Sequence, residues 1–238
     1  MGLFRVTHTN FEETFSTEHF DTAHTNEWED AGRLQEAAWQ ARYEYEAALI
    51  GEVIQQNPHI KNVLEIGSGP GILSQKILES FPDLNYHLID KPFAKKYFDE
   101  NKFKGKFFIK DLSSSFDTHE LLPKYDLVIA NDFIEHVFNP HIIVSTIHRL
   151  TNPDSVFFIS NPNWRMAHQY VYRGLFDFDN FVYFLYTHAF QLEGFYGSQL
   201  KTPAYPRISS ESLLPDEHLT DWNHYMLFKH RTKRTHKS

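Results

Sequence analysis

The sequence predicts an α/β protein whose core is a doubly wound, mostly parallel sheet. Three observations carry this. From residue 62 onward, short apolar runs alternate with helical stretches. The runs are nearly continuous in apolar residues, as strands buried on both faces are. Each run also ends on polar residues: the glycine-rich turn after Ile66, then Asp90, Lys110-Asp111, Asn131-Asp132 and Asn161-Pro162-Asn163. In such a sheet a ligand binds outside the carboxyl ends of the strands. The 238 residues fit one large domain. With 41% hydrophobic and 23% charged residues, the chain is neither disordered nor collagen-like.

Each element follows from its pattern. Residues 1–28 are polar with scattered Phe and His, and read as an N-terminal arm. Residues 27–56 read as a helix, with Leu34, Ala37, Ala38, Tyr45, Leu49 and Val53 at helical spacing, stopped by Asn57-Pro58. Residues 62–66 are the first strand, and 72–80 the helix after the glycine turn. Residues 86–89, 107–109 and 125–130 are the next three strands. Residues 140–150 are helical, with Pro140 in the first turn, and 156–160 form the fifth strand. A last strand is expected at 225–229. Pro203, Pro206 and Pro215 mark residues 201–221 as a long link, read as a substrate-side flap.

Composition excludes several chemistries. With no cysteine there is no disulfide, thiolate zinc site, iron–sulfur cluster or cysteine nucleophile. The longest apolar run, 181–186, is far short of the roughly 20 residues a spanning helix needs. The first residues lack a signal pattern, so a cytoplasmic protein is expected, with no membrane partner. His141 and His148 are seven apart and no zinc-protease spacing occurs, so no functional metal is expected. Five cations lie in residues 229–238. Setting them aside from the net charge of −8 leaves a body at −13, which disfavours nucleic acid as a partner. The tail itself reads as a solvated terminus.

Glycines at 67, 69 and 71 directly follow a strand and open a helix. Glycine permits positive φ and close backbone approach to a ligand. A dinucleotide fingerprint would place a third glycine where Ile72 stands, so the loop departs from that pattern. Glu65 sits two residues before the first glycine. A single acid at a strand end serves equally well as a helix cap. The glycine triplet with Asp90 and Asp111, at three successive strand ends, points instead to a cofactor.

On these residues the sequence resembles the class I S-adenosylmethionine-dependent methyltransferase superfamily. The resemblance spans about residues 60–163 and includes Glu65-Ile66-Gly67-Ser68-Gly69-Pro70-Gly71, Leu88-Ile89-Asp90, Lys110-Asp111-Leu112, Tyr125-Asp126-Leu127-Val128 and Asp132-Phe133-Ile134-Glu135-His136-Val137. The Glu135-His136-Val137 piece looks like the branch containing ubiquinone-biosynthesis O-methyltransferases. The resemblance implies a Rossmann-like, seven-stranded sheet with an antiparallel edge hairpin. It implies S-adenosyl-L-methionine as cofactor and S-adenosyl-L-homocysteine as product. Gly67, Ser68, Gly69 and Gly71 would approach the methionine and ribose parts. Asp90, followed by Lys91, would accept from the ribose hydroxyls. Asp111 would receive the adenine amino group, with Leu112 beside the ring. Asn131 would line the methionine end, and Glu65 would support the ammonium. Gly194-Phe195 resembles the pair that ends the last family helix before the sixth strand.

A methyl transfer from a sulfonium needs an aligned nucleophile and often a general base. Asp132, Glu135 and His136 are the candidates, His136 having the most suitable ordinary pKa. The acceptor is expected along the aromatic stretch at 161–190, where Asn161, Asn163, Trp164, Arg165, His168, Arg173 and His188 interrupt an apolar wall. Arg165 and Arg173 are suited to a carboxylate or phosphate. Phe181, Phe184, Leu185 and His188 sit at helical spacing and read as core. Trp28, Trp39, Tyr43 and Tyr45 are placed to cover the acceptor.

The expected layout is a single domain over 1–238: arm and helix at 1–56, cofactor core at 57–163, acceptor segment and last strands at 164–228, basic tail at 229–238. The expected function is methyl transfer to a small molecule, at oxygen. The alternatives are an RNA or protein methyltransferase, or a non-catalytic binding module on the same fold. The sequence names neither the acceptor nor the oligomeric state.

Overall fold

In the computed structural model, the described residues are 37–98, 103, 105–112, 117–137, 139–162, 178–198, 207–209 and 223–231. The chain divides into two compact units, Met1–Ala41 and Arg42–Ser238. Of the first, the described part is the beginning of helix α1. The second contains the sheet and everything that follows.

The sheet strands are β1 (Asn62–Ile66), β2 (Asn85–Asp90), β3 (Lys106–Ile109), β4 (Tyr125–Asn131), β5 (Thr151–Pro162), β6 (Phe190–Ser198), β7 (Arg207–Ser209) and β8 (Asn223–His230). Their order is β3-β2-β1-β4-β5-β8-β6-β7. The first five are parallel to one another. β8 runs antiparallel to β5, β6 antiparallel to β8, and β7 antiparallel to β6. The seven expected strands are therefore present, joined by a three-residue eighth at the edge. That strand lies within the segment expected to be a link. The rest of the link, residues 201–206 and 210–221, lies outside the described residues.

The helices are α1 (Ala37–Gln56), α2 (Ile72–Ser80), α3 (Pro92–Lys95), α4 (Pro140–Arg149) and α5 (Phe178–Thr187), with a 3₁₀ turn at Ile134–His136. Period-2 alternation divides the strands between two cores. On one face, Leu64, Ile66, Val128, Ala130, Phe157, Ile159, Met226 and Phe228 pack with Ile143, Val144 and Ile147 of α4 and Phe181 and Leu185 of α5. On the other, Val63, Leu88, Leu127, Ile129, Phe158, Tyr225 and Leu227 pack with Leu49, Ile50 and Val53 of α1 and Leu73 and Ile77 of α2. The strands are buried on both sides, which is why they read as nearly unbroken apolar runs. No helix among the described residues is long and apolar enough to cross a membrane.

Local chemistry fixes the boundaries. The Asn139 side chain accepts from the Ile142 N–H at 3.4 Å, and Pro140 occupies the first turn of α4. The helix expected to end at Gly194-Phe195 stops earlier, at Thr187. There the N–H of His188 bonds to Leu185 O, and Ala189 adopts φ 64. Gly194 and Phe195 lie inside β6, where the pairing with β8 slips between Leu192 and Gly194. A glycine marking a strand irregularity was thus read as a helix stop.

Candidate active site

The carboxyl ends of β1, β2, β4 and β5, with α1 beside them, gather several of the buried polar side chains among the described residues, including Glu46, Glu65, Ser68, Asp90, Glu135 and Ser160. Gly67, Gly69 and Gly71 have φ of 72°, 54° and 78°, a region side chains rarely adopt. At Gly67 the space is also closed: a Cβ there would lie 2.5 Å from Phe133 Cδ2. Both constraints select glycine and press the turn flat against β4's exit loop. Ser68, between them, is buried, and its hydroxyl has no hydrogen-bond partner among the described residues.

Asp90 closes β2 and fastens the turn. Its carboxylate accepts from the Gly69 N–H at 2.6 Å and from the Lys91 N–H at 2.6 Å. A carboxylate has two acceptor oxygens, a match in kind for a vicinal diol. Asp111 is exposed after β3, and Leu112 beside it is buried. Glu65, on β1, is enclosed and accepts from the Tyr86 hydroxyl at 2.7 Å. Burial raises its carboxyl to about 8, against the opposing Tyr86 hydrogen bond.

That shift has a measurable sign. In the unfolded chain Glu65 ionises near the ordinary glutamate value, while in the folded chain it keeps its proton to about pH 8. Its contribution is therefore full below the unfolded value and is lost as pH rises from there through about 8. Urea unfolding across pH 5–8 should show Glu65→Gln gaining stability over wild type toward pH 8, by an amount on the order of a few kcal/mol. Parallel profiles for the two proteins would reject a protonated Glu65.

At the end of β4, Asn131 and the following Asp132 belong to a network that the sequence did not reveal. Glu46 of α1 is fully buried and accepts from Arg42 Nε at 2.7 Å, Asn131 Nδ2 at 2.8 Å and the Tyr225 hydroxyl at 2.8 Å. Asp132 pairs with Arg42 Nη2 and accepts from Asn223 Nδ2 at 2.9 Å and from the Ser160 hydroxyl at 2.7 Å. Its backbone is left-handed at φ 45, a conformation that Asp tolerates better than most residues. Burial alone would raise the Asp132 carboxyl. The Arg42 charge and the hydrogen bonds from Ser160, Asn223 and Arg42 reverse this and hold it below its usual value.

Glu135, one turn further, behaves oppositely. Burial, aided by the Asp132 charge, pushes its carboxyl well above the ordinary range. His136 Nε2 lies 3.8 Å from Glu135 Oε1, and its side chain is 22% exposed, so it can meet a ligand. Trp164, Arg165 and Arg173 lie outside the described residues, as does Trp28, and the Trp39 side chain is likewise not described.

The missed residues left one signal. Glu46 shares a helical stripe with Leu49, Ile50 and Val53, all buried. An acid on an apolar stripe, four residues after an arginine, announces a buried ion pair.

A family model described as a methyltransferase domain matches residues 37–232. Over 111 residues the chain is 25% identical to malonyl-[acyl-carrier protein] O-methyltransferase 2 of Ilyobacter polytropus, covering 47% of this chain and 43% of that one. The match thus spans less than half the length of that curated relative. Among solved structures, an S-adenosylmethionine-dependent methyltransferase from Clostridium acetobutylicum superposes with TM-score 0.58 at 11% identity, over 80% of this chain and 92% of that one. The plantazolicin methyltransferase BpumL, in complex with a triazolic desmethylPZN analog and SAH, gives TM-score 0.58 at 14% identity, over 94% of each chain. At these identities the structures share the fold.

Proposed function

The chain belongs to the methyltransferase-domain family of class I enzymes, and from that premise we propose that it binds S-adenosylmethionine at the Gly67–Gly71 turn and methylates a small molecule at oxygen. The observation that carries this is the turn itself: three left-handed glycines, closed by Phe133 and tied through Gly69 to the Asp90 carboxylate. The residues fit the cofactor. The Asp90 carboxylate is of the acceptor type that a vicinal diol needs, and the buried Ser68 hydroxyl awaits a partner. Glu46, Asp90 and Asp132 would offer carboxylates toward a cationic sulfonium and ammonium, with the enclosed Glu65 carboxyl nearby. The bound cofactor supplies an already activated methyl group.

The chain's own residues then have distinct tasks. Gly67, Gly69 and Gly71 let the backbone approach, with Ser68 between them, and Asp90, followed by Lys91, holds the ribose. Leu112 would lie beside the adenine, and Asp111 would accept from its amino group. Asn131 is oriented for the methionine end by Glu46, whose carboxylate accepts from Asn131 Nδ2 at 2.8 Å. Asp132 is unsuited to the base role considered above, because its oxygens are engaged by Arg42, Ser160 and Asn223 and its proton affinity is lowered. Burial and the Asp132 charge hold the Glu135 carboxyl above its ordinary range, which favours its protonated form and a donor role. His136 remains the group to accept the acceptor's proton. The relative that methylates a malonyl-[acyl-carrier protein] by name supports oxygen as the receiving atom.

Thermal unfolding with S-adenosylmethionine and with S-adenosylhomocysteine tests the cofactor. A ligand at 100 times its Kd adds about 2.7 kcal/mol, enough to raise the midpoint by a few degrees at this size. No shift with either ligand overturns the reading. His136→Ala should lower kcat by about 10²–10⁴ with any acceptor that turns over, leaving S-adenosylhomocysteine affinity unchanged. Unaltered kcat would remove His136 from the proton path.

A further inference from the structure

A second polar locus lies on the other face of the sheet from the Arg42 network. Along β5 the side chains alternate. Phe157 and Ile159 join the core beneath α4 and α5, whereas Phe158 joins the other core and Ser160 bonds to Asp132. Asn161 therefore projects to the α4–α5 face. Its register partner on β8 is His224, two residues from Met226 and so on the same face. Both are fully buried, and the His224 ring lies 5.3 Å from that of Phe195.

Neither Oδ1 nor Nδ2 of Asn161 has a hydrogen-bond partner among the described residues. Nearly all buried amides are satisfied, and an unsatisfied one lowers stability, so its retention asks for a compensating role. Its place supplies one. Asn161 follows Ser160, which is in register with Asn131. It thus stands at the carboxyl end of the strand next to β4, on the sheet edge where methyl transfer is proposed above.

We propose that Asn161 is the polar contact of an acceptor subsite walled by Phe195 and His224, and that it takes a neutral carboxamide or lactam group of the methyl acceptor. This rests on the methyltransferase reading for the word acceptor, but not for binding itself. An Asn amide offers one acceptor and a donor side by side, the mirror of a carboxamide's own N–H and C=O. A flat amide also suits the aromatic wall. An anion would be desolvated against a neutral amide, which disfavours a carboxylate at this point.

The test uses benzamide as the probe, with benzoate and toluene as controls, on the full chain with and without S-adenosylhomocysteine. The Asn161 side-chain amide signals in a ¹H–¹⁵N spectrum are assigned by their loss in Asn161→Leu. Benzamide should move them saturably at millimolar concentration, while benzoate and toluene leave them in place. Asn161→Leu, which removes an unsatisfied group and should unfold no earlier than wild type, should weaken benzamide binding at least about tenfold without altering the S-adenosylhomocysteine thermal shift. Should that variant fail to fold, Asn161→Ala is read in its place. Unmoved signals, an equal response to benzoate, or unchanged benzamide affinity in the variant would each overturn the subsite. Benzamide binding without any S-adenosylhomocysteine shift would keep the subsite and overturn the cofactor reading instead.

Discussion

Arg42→Met should destabilise the chain by about 3–5 kcal/mol, as judged by urea unfolding at neutral pH. The physical cause is what the substitution leaves behind. Arg42 is the guanidinium shared by Glu46, fully buried, and Asp132, 19% exposed, at the carboxyl end of the sheet. Methionine keeps the length of the stem but strands both acids. A partner removed from a buried pair harms the fold far more than an exposed pair would, where about 0–1 kcal/mol is the rule. Asp132→Asn in the Arg42→Met background should restore part of the loss, because it discharges one of the stranded groups. A loss below about 1 kcal/mol for Arg42→Met would mean that water screens the network.

Asp90→Ala should reduce S-adenosylhomocysteine affinity by about 10²–10³, measured by calorimetry. Two contributions add. The ribose hydroxyls lose a charged acceptor, and the Gly69 and Lys91 N–H groups lose the carboxylate that fixes the turn. The fold should survive, since Asp90 lies at a strand end and not in either apolar core. Affinity within tenfold of wild type would remove Asp90 from the cofactor site.

What the sequence disclosed and what it hid divide along one physical line. β1 to β5 were legible because strands covered on both faces must be apolar and must end where the chain turns polar. β1 matched at both ends, Asn62 and Ile66. The glycine turn was legible because its triplet answers a backbone requirement of those same positions. Gly194 misled because the Gly-Phe pair that resembles the family's helix end here sits at a strand slip. Ala189, with no such signature, made the turn instead. Asp132 stood among three candidate bases because its ion-pair partner, Arg42, comes from 90 residues upstream. Tyr225 and Glu46 are 179 residues apart, and no local pattern encodes their bond. Pairings of that span are decided by the sheet order, which brings β8 against β5.

The sheet order also has a consequence for how the chain is made. β8 carries Asn223 and Tyr225, yet it lies between β5 and β6. During synthesis from the amino end, β1 to β5 can assemble while β8 is still unmade. Until it arrives, β5 is a bare margin whose Val156–Phe157–Phe158–Ile159 stretch invites pairing with another chain. Asp132 and Glu46 are meanwhile each short of a donor that only β8 brings. β8, made after every other described strand, therefore closes the vulnerable margin and completes the polar cluster in one event.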